Sequence, residues 1–151
     1  MVKFLSEVIR RNVKYMKSTN ELMNLIKKAQ REEFVDSIRE ESMDVSELMK
    51  DILAEKKVEI KRAIDMLILE PSYGYQIFNG RRKPTRIILL RFAIIFGLTI
   101  EETQQLLKMG QKQELYQKIR FDAAIIYGIE HHYSVEEVED LLAEVGEKSL
   151  F

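Results

Sequence analysis

The sequence predicts an all-α fold, and three observations carry that reading. Apolar residues recur three and four apart along nearly all of the 151-residue chain, the spacing that lines one face of a helix. Ahead of such runs stand Ser18 with Glu21, Asp44 with Glu47, Thr99 with Glu102 and Ser134 with Glu137. In that arrangement each side chain can satisfy a free backbone amide of a helix's first turn. Only two prolines and six glycines interrupt the chain, and β-branched alternation is sparse, which leaves strands little to build on.

The elements follow in order. Leu5, Ile9, Val13 and Met16, with Arg10, Arg11, Lys14 and Lys17 between them, predict a basic amphipathic helix over 3–17. Ser18 and Glu21 open a second, continued by Leu22, Leu25, Ile26 and Ala29 and running through Phe34, Val35 and Ile38 to about Glu40. Asp44 and Glu47 open a third, up to about Lys56, and Ile60, Ala63, Ile64 and Leu67 mark a fourth. Pro71 suits the first turn of a short helix ending at Phe78, because its missing amide would have been unpaired there. Asn79-Gly80 closes it, both residues tolerating the left-handed conformation. Pro84 is expected to open the next helix and Gly97 to close it. Thr99 and Glu102 start another that stops at Gly110. A longer helix is expected over 113–131, and Ser134 with Glu137 caps a last one.

Charge is distributed unevenly. The formal net charge is −1, yet residues 1–20 hold five basic and one acidic side chain, and residues 101–151 hold five basic and eleven acidic. Residues 21–70 carry nine basic against thirteen acidic. Residues 71–100 carry Arg81, Arg82, Lys83, Arg86 and Arg91 with no carboxylate at all. A local positive patch in an otherwise acidic chain fits a polyanionic partner, although a solvated face is the blander reading.

From Ser46 to Leu107, the turn Tyr75 to Pro84 and the segment Phe92-Ala93-Ile94-Ile95-Phe96-Gly97-Leu98-Thr99 resemble the XRE family of bacterial and phage regulators, the Cro and phage-repressor type. That family has an N-G-x-R-x-P-like turn after its recognition helix and an apolar helix after the turn. Gly74 and Phe78 depart from the family's usual residues, which are apolar and acidic respectively. The resemblance implies a lambda-repressor-like helix-turn-helix domain of five helices over 44–110, flanked by an N-terminal helical extension, 1–43, and a C-terminal helical pair, 111–151, that packs on the domain or dimerises. It implies a recognition helix of about 70–78 in the major groove, with Ser72, Tyr75 and Gln76 facing base edges and Tyr73 at the rim. A glutamine amide both donates and accepts, matching adenine N6 and N7, and a tyrosine can meet phosphate or a thymine methyl. Packing against a neighbouring helix is the alternative for either tyrosine, and a plain exposed amide for Gln76. Asn79, Arg81, Arg82, Lys83 and Arg86 are implied to hold phosphates, fixing register without sequence information. Arg91, on a mostly apolar helix, is also a candidate for an intramolecular ion pair. Ile77 is expected to anchor the recognition helix in the core.

The implied function is sequence-specific binding of double-stranded DNA by a transcription regulator, a repressor. The rival is a protein-interaction adaptor that keeps the fold without the DNA contacts. No enzyme is expected, because no nucleophile–base constellation or phosphate loop is legible. His131 and His132 are adjacent and point about 100 degrees apart on a helix, so they do not form the i, i+4 pair that binds one metal. No metal or cofactor is expected. With no cysteine, no secretory signal and no spanning apolar run, a cytoplasmic location away from membranes follows. Repressors of this architecture bind two half-sites as dimers, so one flank is expected to form a homodimer or bind a regulatory protein, with the C-terminal pair favoured.

Overall fold

Helix formation follows the apolar spacing almost throughout. The computed structural model describes residues 19–41 and 44–151, and among these it holds nine α-helices and no strand. The helix expected over 3–17, and Ser18 of the first cap, lie outside the described residues.

The single helix expected from 19 to about 40 is two, α1 (Thr19–Lys28) and α2 (Arg31–Glu41). The ladder ends with Ala29 N–H donating to Leu25 O and restarts with Phe34 N–H donating to Gln30 O. Among the described residues, none of either helix belongs to the hydrophobic core.

The core begins at α3 (Val45–Glu55), where Asp44 accepts a hydrogen bond from Ser46 N–H at 3.2 Å. This cap is one-sided: Glu47 stays exposed and does not complete the reciprocal box. Next come α4 (Ile60–Met66) and α5 (Pro71–Phe78), with Leu67 to Glu70 between them. α6 (Arg86–Ile95) starts two residues later than expected. Pro84 lies outside it, and the Thr85 hydroxyl caps it by accepting from Ile88 N–H at 3.2 Å. α7 (Ile100–Met109) and α9 (Val135–Glu144) open with the Thr99/Glu102 and Ser134/Glu137 boxes, both reciprocal.

The helix expected over 113–131 is confined to α8 (Arg120–Glu130). Two side-chain clamps take the preceding backbone out of the helical pattern. Gln104 donates to Leu115 O at 2.9 Å and accepts from Leu115 N–H at 2.7 Å, while the Asp122 carboxylate accepts from Tyr116 N–H at 3.0 Å. With these backbone groups satisfied and Leu115 buried, that stretch gains nothing by coiling.

From α3 to α9 each helix ends alike. The amide two residues beyond the cap returns to a carbonyl five residues earlier, as in Val58 to Leu53, Leu69 to Ile64 and Arg81 to Gln76. The intervening residue is left-handed, as this closure demands. At Gly80 (φ 82°) the residue suits the role, whereas between α4 and α5 it is Ile68 at φ 56°, a β-branched residue in a region it rarely adopts.

One continuous core joins α3 to α9. Leu48 and Met49 of α3, Ile64 of α4, Leu89 and Phe92 of α6 and Leu107 of α7 are fully enclosed, and Ile125, Val138 and Leu142 of α8 and α9 belong to the same cluster. Even Leu150 is buried, at 1% exposure, and Arg91 holds it there: its Nε donates to Leu150 O at 2.7 Å, its Nη1 donates to Leu67 O at 3.2 Å, and its guanidinium lies 4.9 Å from the centre of the Phe151 ring. Arg91 therefore joins three stretches of chain through backbone carbonyls, without a carboxylate partner. The packing does not divide at residue 110: Ala124, Ile125, Ile129, Val138 and Leu142 of α8 and α9 are buried in the common core, while Ile126 and Leu141 are half-buried.

Candidate nucleic-acid interface

α5 is a short helix with a sharply defined inner and outer side. Glu70 starts it, its carboxylate accepting from Ser72 N–H at 3.0 Å and from Tyr73 N–H at 2.8 Å. These two bonds, the one from Tyr73 foremost, hold the Glu70 carboxyl below its ordinary value of 4.5, because the charged form accepts them better. Pro71 occupies the first turn as expected. At the other end Asn79 Oδ1 accepts from Arg81 N–H at 3.1 Å, and Gln76 O receives both Arg81 N–H and Arg82 N–H. The side-chain oxygen of Asn79 thus shapes the turn, leaving its amide nitrogen for any outside contact.

The inner side consists of Gly74, Ile77 and Phe78, all buried. Ile77 is fully enclosed, so it anchors α5 as expected. Gly74 is required by proximity: a Cβ there would lie 2.6 Å from Cγ2 and 2.7 Å from Cγ1 of Ile64 on α4. Ile64 supplies the apolar volume that a larger residue in α5 would otherwise provide. Phe78, where the resemblance leads one to expect an acid, is a core residue at 1% exposure.

At about 100 degrees per residue, Ser72, Gln76 and Asn79 fall opposite this buried side, with Tyr75 and Tyr73 flanking them. Ser72 and Tyr75 are exposed, Tyr75 at 45%, whereas Tyr73 and Gln76 are half-buried. The helix therefore offers two hydroxyl-bearing side chains and one amide on a single outward face.

The basic residues divide into two groups. Arg81, Arg82 and Lys83 are exposed. Among the described residues none of the three is bonded to a carboxylate, and the Arg81 side chain has no partner. The Arg82 guanidinium lies 5.7 Å from the centre of the Tyr73 ring, which draws it along α5, and Lys83 Nζ donates to Gln111 Oε1 at 2.8 Å. Both contacts are weak and exposed, so a phosphate can replace or share them.

Arg86 is different, because its guanidinium is engaged within its own chain. Its Nε donates to Gln113 O at 2.9 Å, Nη1 to Asp122 Oδ1 at 3.1 Å, and Nη2 to Asp122 Oδ2 at 2.9 Å and Glu114 O at 3.2 Å. The Asp122 side chain is 2% exposed. This is a bidentate pair joining α6 to α8, and it uses four of the five guanidinium hydrogens for structure.

One feature of the site went unread in the sequence. The α7 end, Met109 to Gln111, runs behind the basic turn, and with Asp44, Val45, Gly80, Arg82 and Lys83 it lines a shallow cavity of about 260 Å³. The α3 cap also abuts the turn, since a Cβ on Gly80 would meet Asp44 Oδ2 at 2.9 Å. The turn is thus backed by two other elements. Only Gly80 and Gly110 hinted at such close approach.

Among the described residues no group of three or more His, Cys, Asp or Glu is placed to hold a metal, and no helix is long and apolar enough to cross a membrane. No family model matches the chain, and neither a curated protein nor a solved structure matches it.

Proposed function

We propose that this chain is a sequence-specific DNA-binding regulator of transcription, a repressor acting in the cytoplasm. In this reading α3 to α7 form a five-helix lambda-repressor-like unit, α4 and α5 its helix-turn-helix, and α5 the helix that enters the major groove. The observation that carries it is the juxtaposition on α5 and its following turn. An outward polar face, with Ser72 and Tyr75 exposed and Gln76 half-buried, adjoins three exposed cations (Arg81, Arg82, Lys83), none of them in an ion pair with a described carboxylate. An outward amide and hydroxyls suit base edges, and clustered cations beside them suit the flanking phosphates. Asn79 contributes through its amide nitrogen, and Arg86 is left out.

Selection from a pool of random duplexes tests this reading. The parent is expected to enrich one motif, and Gln76→Ala to lose preference at one or two positions of it while keeping its non-specific affinity. Binding without any enriched motif, or no binding, contradicts sequence reading, and the second result favours an adaptor that uses the same face for a protein.

A further inference from the structure

The turn that precedes α5 is held under strain. Ile68, between α4 and α5, has φ 56° and is β-branched, unlike Lys57, Gln111 and His132, the other non-glycine residues with positive φ among those described. A left-handed conformation of this kind costs energy and persists only where surrounding contacts over-determine it. The Ile68 side chain does not supply them, being 71% exposed. Two backbone bonds close the turn, Ile68 N–H to Asp65 O at 3.1 Å and Leu69 N–H to Ile64 O at 3.2 Å. Among the described residues, the side chain that bonds the backbone of Leu67 to Leu69 is Arg91, through Nη1 to Leu67 O at 3.2 Å.

Arg91 is itself held mainly by residues 147–151. Its remaining contacts are Leu150 O at 2.7 Å and the centre of the Phe151 ring at 4.9 Å. These residues are lightly anchored in turn. Leu150 is the fully buried one of the five. Its N–H donates to Glu139 Oε1 at 2.7 Å, and the Ser149 hydroxyl donates to the other oxygen of the same carboxylate. Gly146, at φ 76°, joins the segment to α9, and a Cβ there would meet nothing within 4 Å. Ordering such a segment costs backbone entropy at each residue, so one fixed by a single buried side chain and a few bonds opens far more readily than the core.

We propose that residues 147–151 are a releasable latch on the turn before α5. Docked, they hold Arg91 against Leu67 O and keep Ile68 left-handed; released, they free the guanidinium to turn toward water and let the turn relax. Because Glu70 caps α5 directly beyond this turn, the latch governs how the outward face of α5 is presented. Negative charge at Ser149 releases it, since the Glu139 carboxylate lies against that hydroxyl and like charges repel. The device stands independently of what α5 binds.

Amide hydrogen exchange of the full chain reads each part. The N–H of residue 150 reports the latch and that of Leu69 the turn. Val58 N–H, which closes α3 in the same way onto Leu53 O without a bond from Arg91, is the reference. Leu150→Ala and Ser149→Asp are each expected to speed exchange at 150 and at Leu69 by at least ~10-fold while Val58 changes by less than ~2-fold, as local opening does. Ser149→Asp/Glu139→Gln, where the repulsion is gone and an amide oxygen still accepts from Leu150 N–H, is expected to return both to within ~3-fold of the parent. In an Ile68→Gly background, with the strain removed, Leu150→Ala is expected to speed Leu69 by less than ~3-fold. A Leu150 N–H that exchanges freely in the parent overturns the latch. So does release that leaves Leu69 unchanged, or that speeds Leu69 and Val58 equally, as a general loss of stability would. A rescue that fails contradicts charge at Ser149 as the trigger, and an undiminished effect at Leu69 in the Ile68→Gly background contradicts the role of strain.

Discussion

Arg86→Ala separates a structural arginine from a DNA contact. The substitution removes four hydrogen bonds and leaves Asp122, 2% exposed, with only Tyr116 N–H to satisfy its carboxylate. Removing one partner of a buried pair costs about 3–5 kcal/mol, because the other charge stays behind without compensation. The reverse substitution, Asp122→Asn, should cost less, about 1–2 kcal/mol. Arg86 is 26% exposed, can turn toward water and keeps its carbonyl partners, and the asparagine oxygen still accepts from Tyr116. Urea unfolding of both single variants and the double variant measures these losses, and the cycle should give a coupling of about 1–3 kcal/mol. The effect should appear as a lower midpoint with an unchanged slope. If Arg86→Ala loses less than about 1 kcal/mol, within the range of a surface pair, the buried-pair reasoning is refuted. A stable Arg86→Ala that bound DNA weakly would return Arg86 to the phosphate set.

Three further predictions concern α5 and its approach. Gly74→Ala should destabilise the chain by about 1–2 kcal/mol, the strain of overpacking outweighing the gain in helix propensity; in an Ile64→Ala background, where the close contacts are gone, the same change should stabilise. Ile68→Gly should raise stability by about 0.5–1 kcal/mol, since relief of a left-handed β-branched residue, at little loss of burial, outweighs the greater entropy that glycine gives the unfolded chain, and a destabilised variant would show that the exposed side chain has a partner. Glu70→Gln removes a carboxylate whose folded-state pKa is depressed, so the parent's lead in melting temperature should be full above the ordinary value of 4.5 and fade as pH falls through the lower folded-state value. A lead undiminished at a pH of about 2 would contradict the cap as its source.

What could be read in the chain beforehand was local. Thr99 with Glu102, Ser134 with Glu137, Pro71 in a first turn and Gly80 after a last one announce their helix ends within four residues, and the structure has them there. What escaped depends mostly on contacts that the fold makes between residues not adjacent in the chain. The late start of α8 comes from Gln104 holding Leu115 and Asp122 holding Tyr116, while 113–119 carry a periodicity that a helix would also satisfy. Arg86 reads as one more cation in a basic run until Asp122, thirty-six positions away, is brought beside it. The break at Ala29 and Gln30 has neither proline nor glycine to mark it. The outward face of α5 was legible because helical geometry alone sets which side Ile77 leaves free. The half-burial of Gln76 and the draw of Arg82 toward Tyr73 needed the turn's three-dimensional course.

The most direct test of DNA binding by α5 and its turn is the salt dependence of affinity for the selected duplex, measured for the parent and for Arg81→Ala/Arg82→Ala. With Arg81, Arg82 and Lys83 each displacing one counterion, log K should fall against log salt with a slope of about −2.7 per bound chain, or about 40-fold between 50 and 200 mM. The double variant, left with Lys83, should show a slope of about −0.9 and a loss of about 3.5-fold over the same range. The same slope for both proteins would contradict the account, because the basic turn would then not be where the phosphates sit.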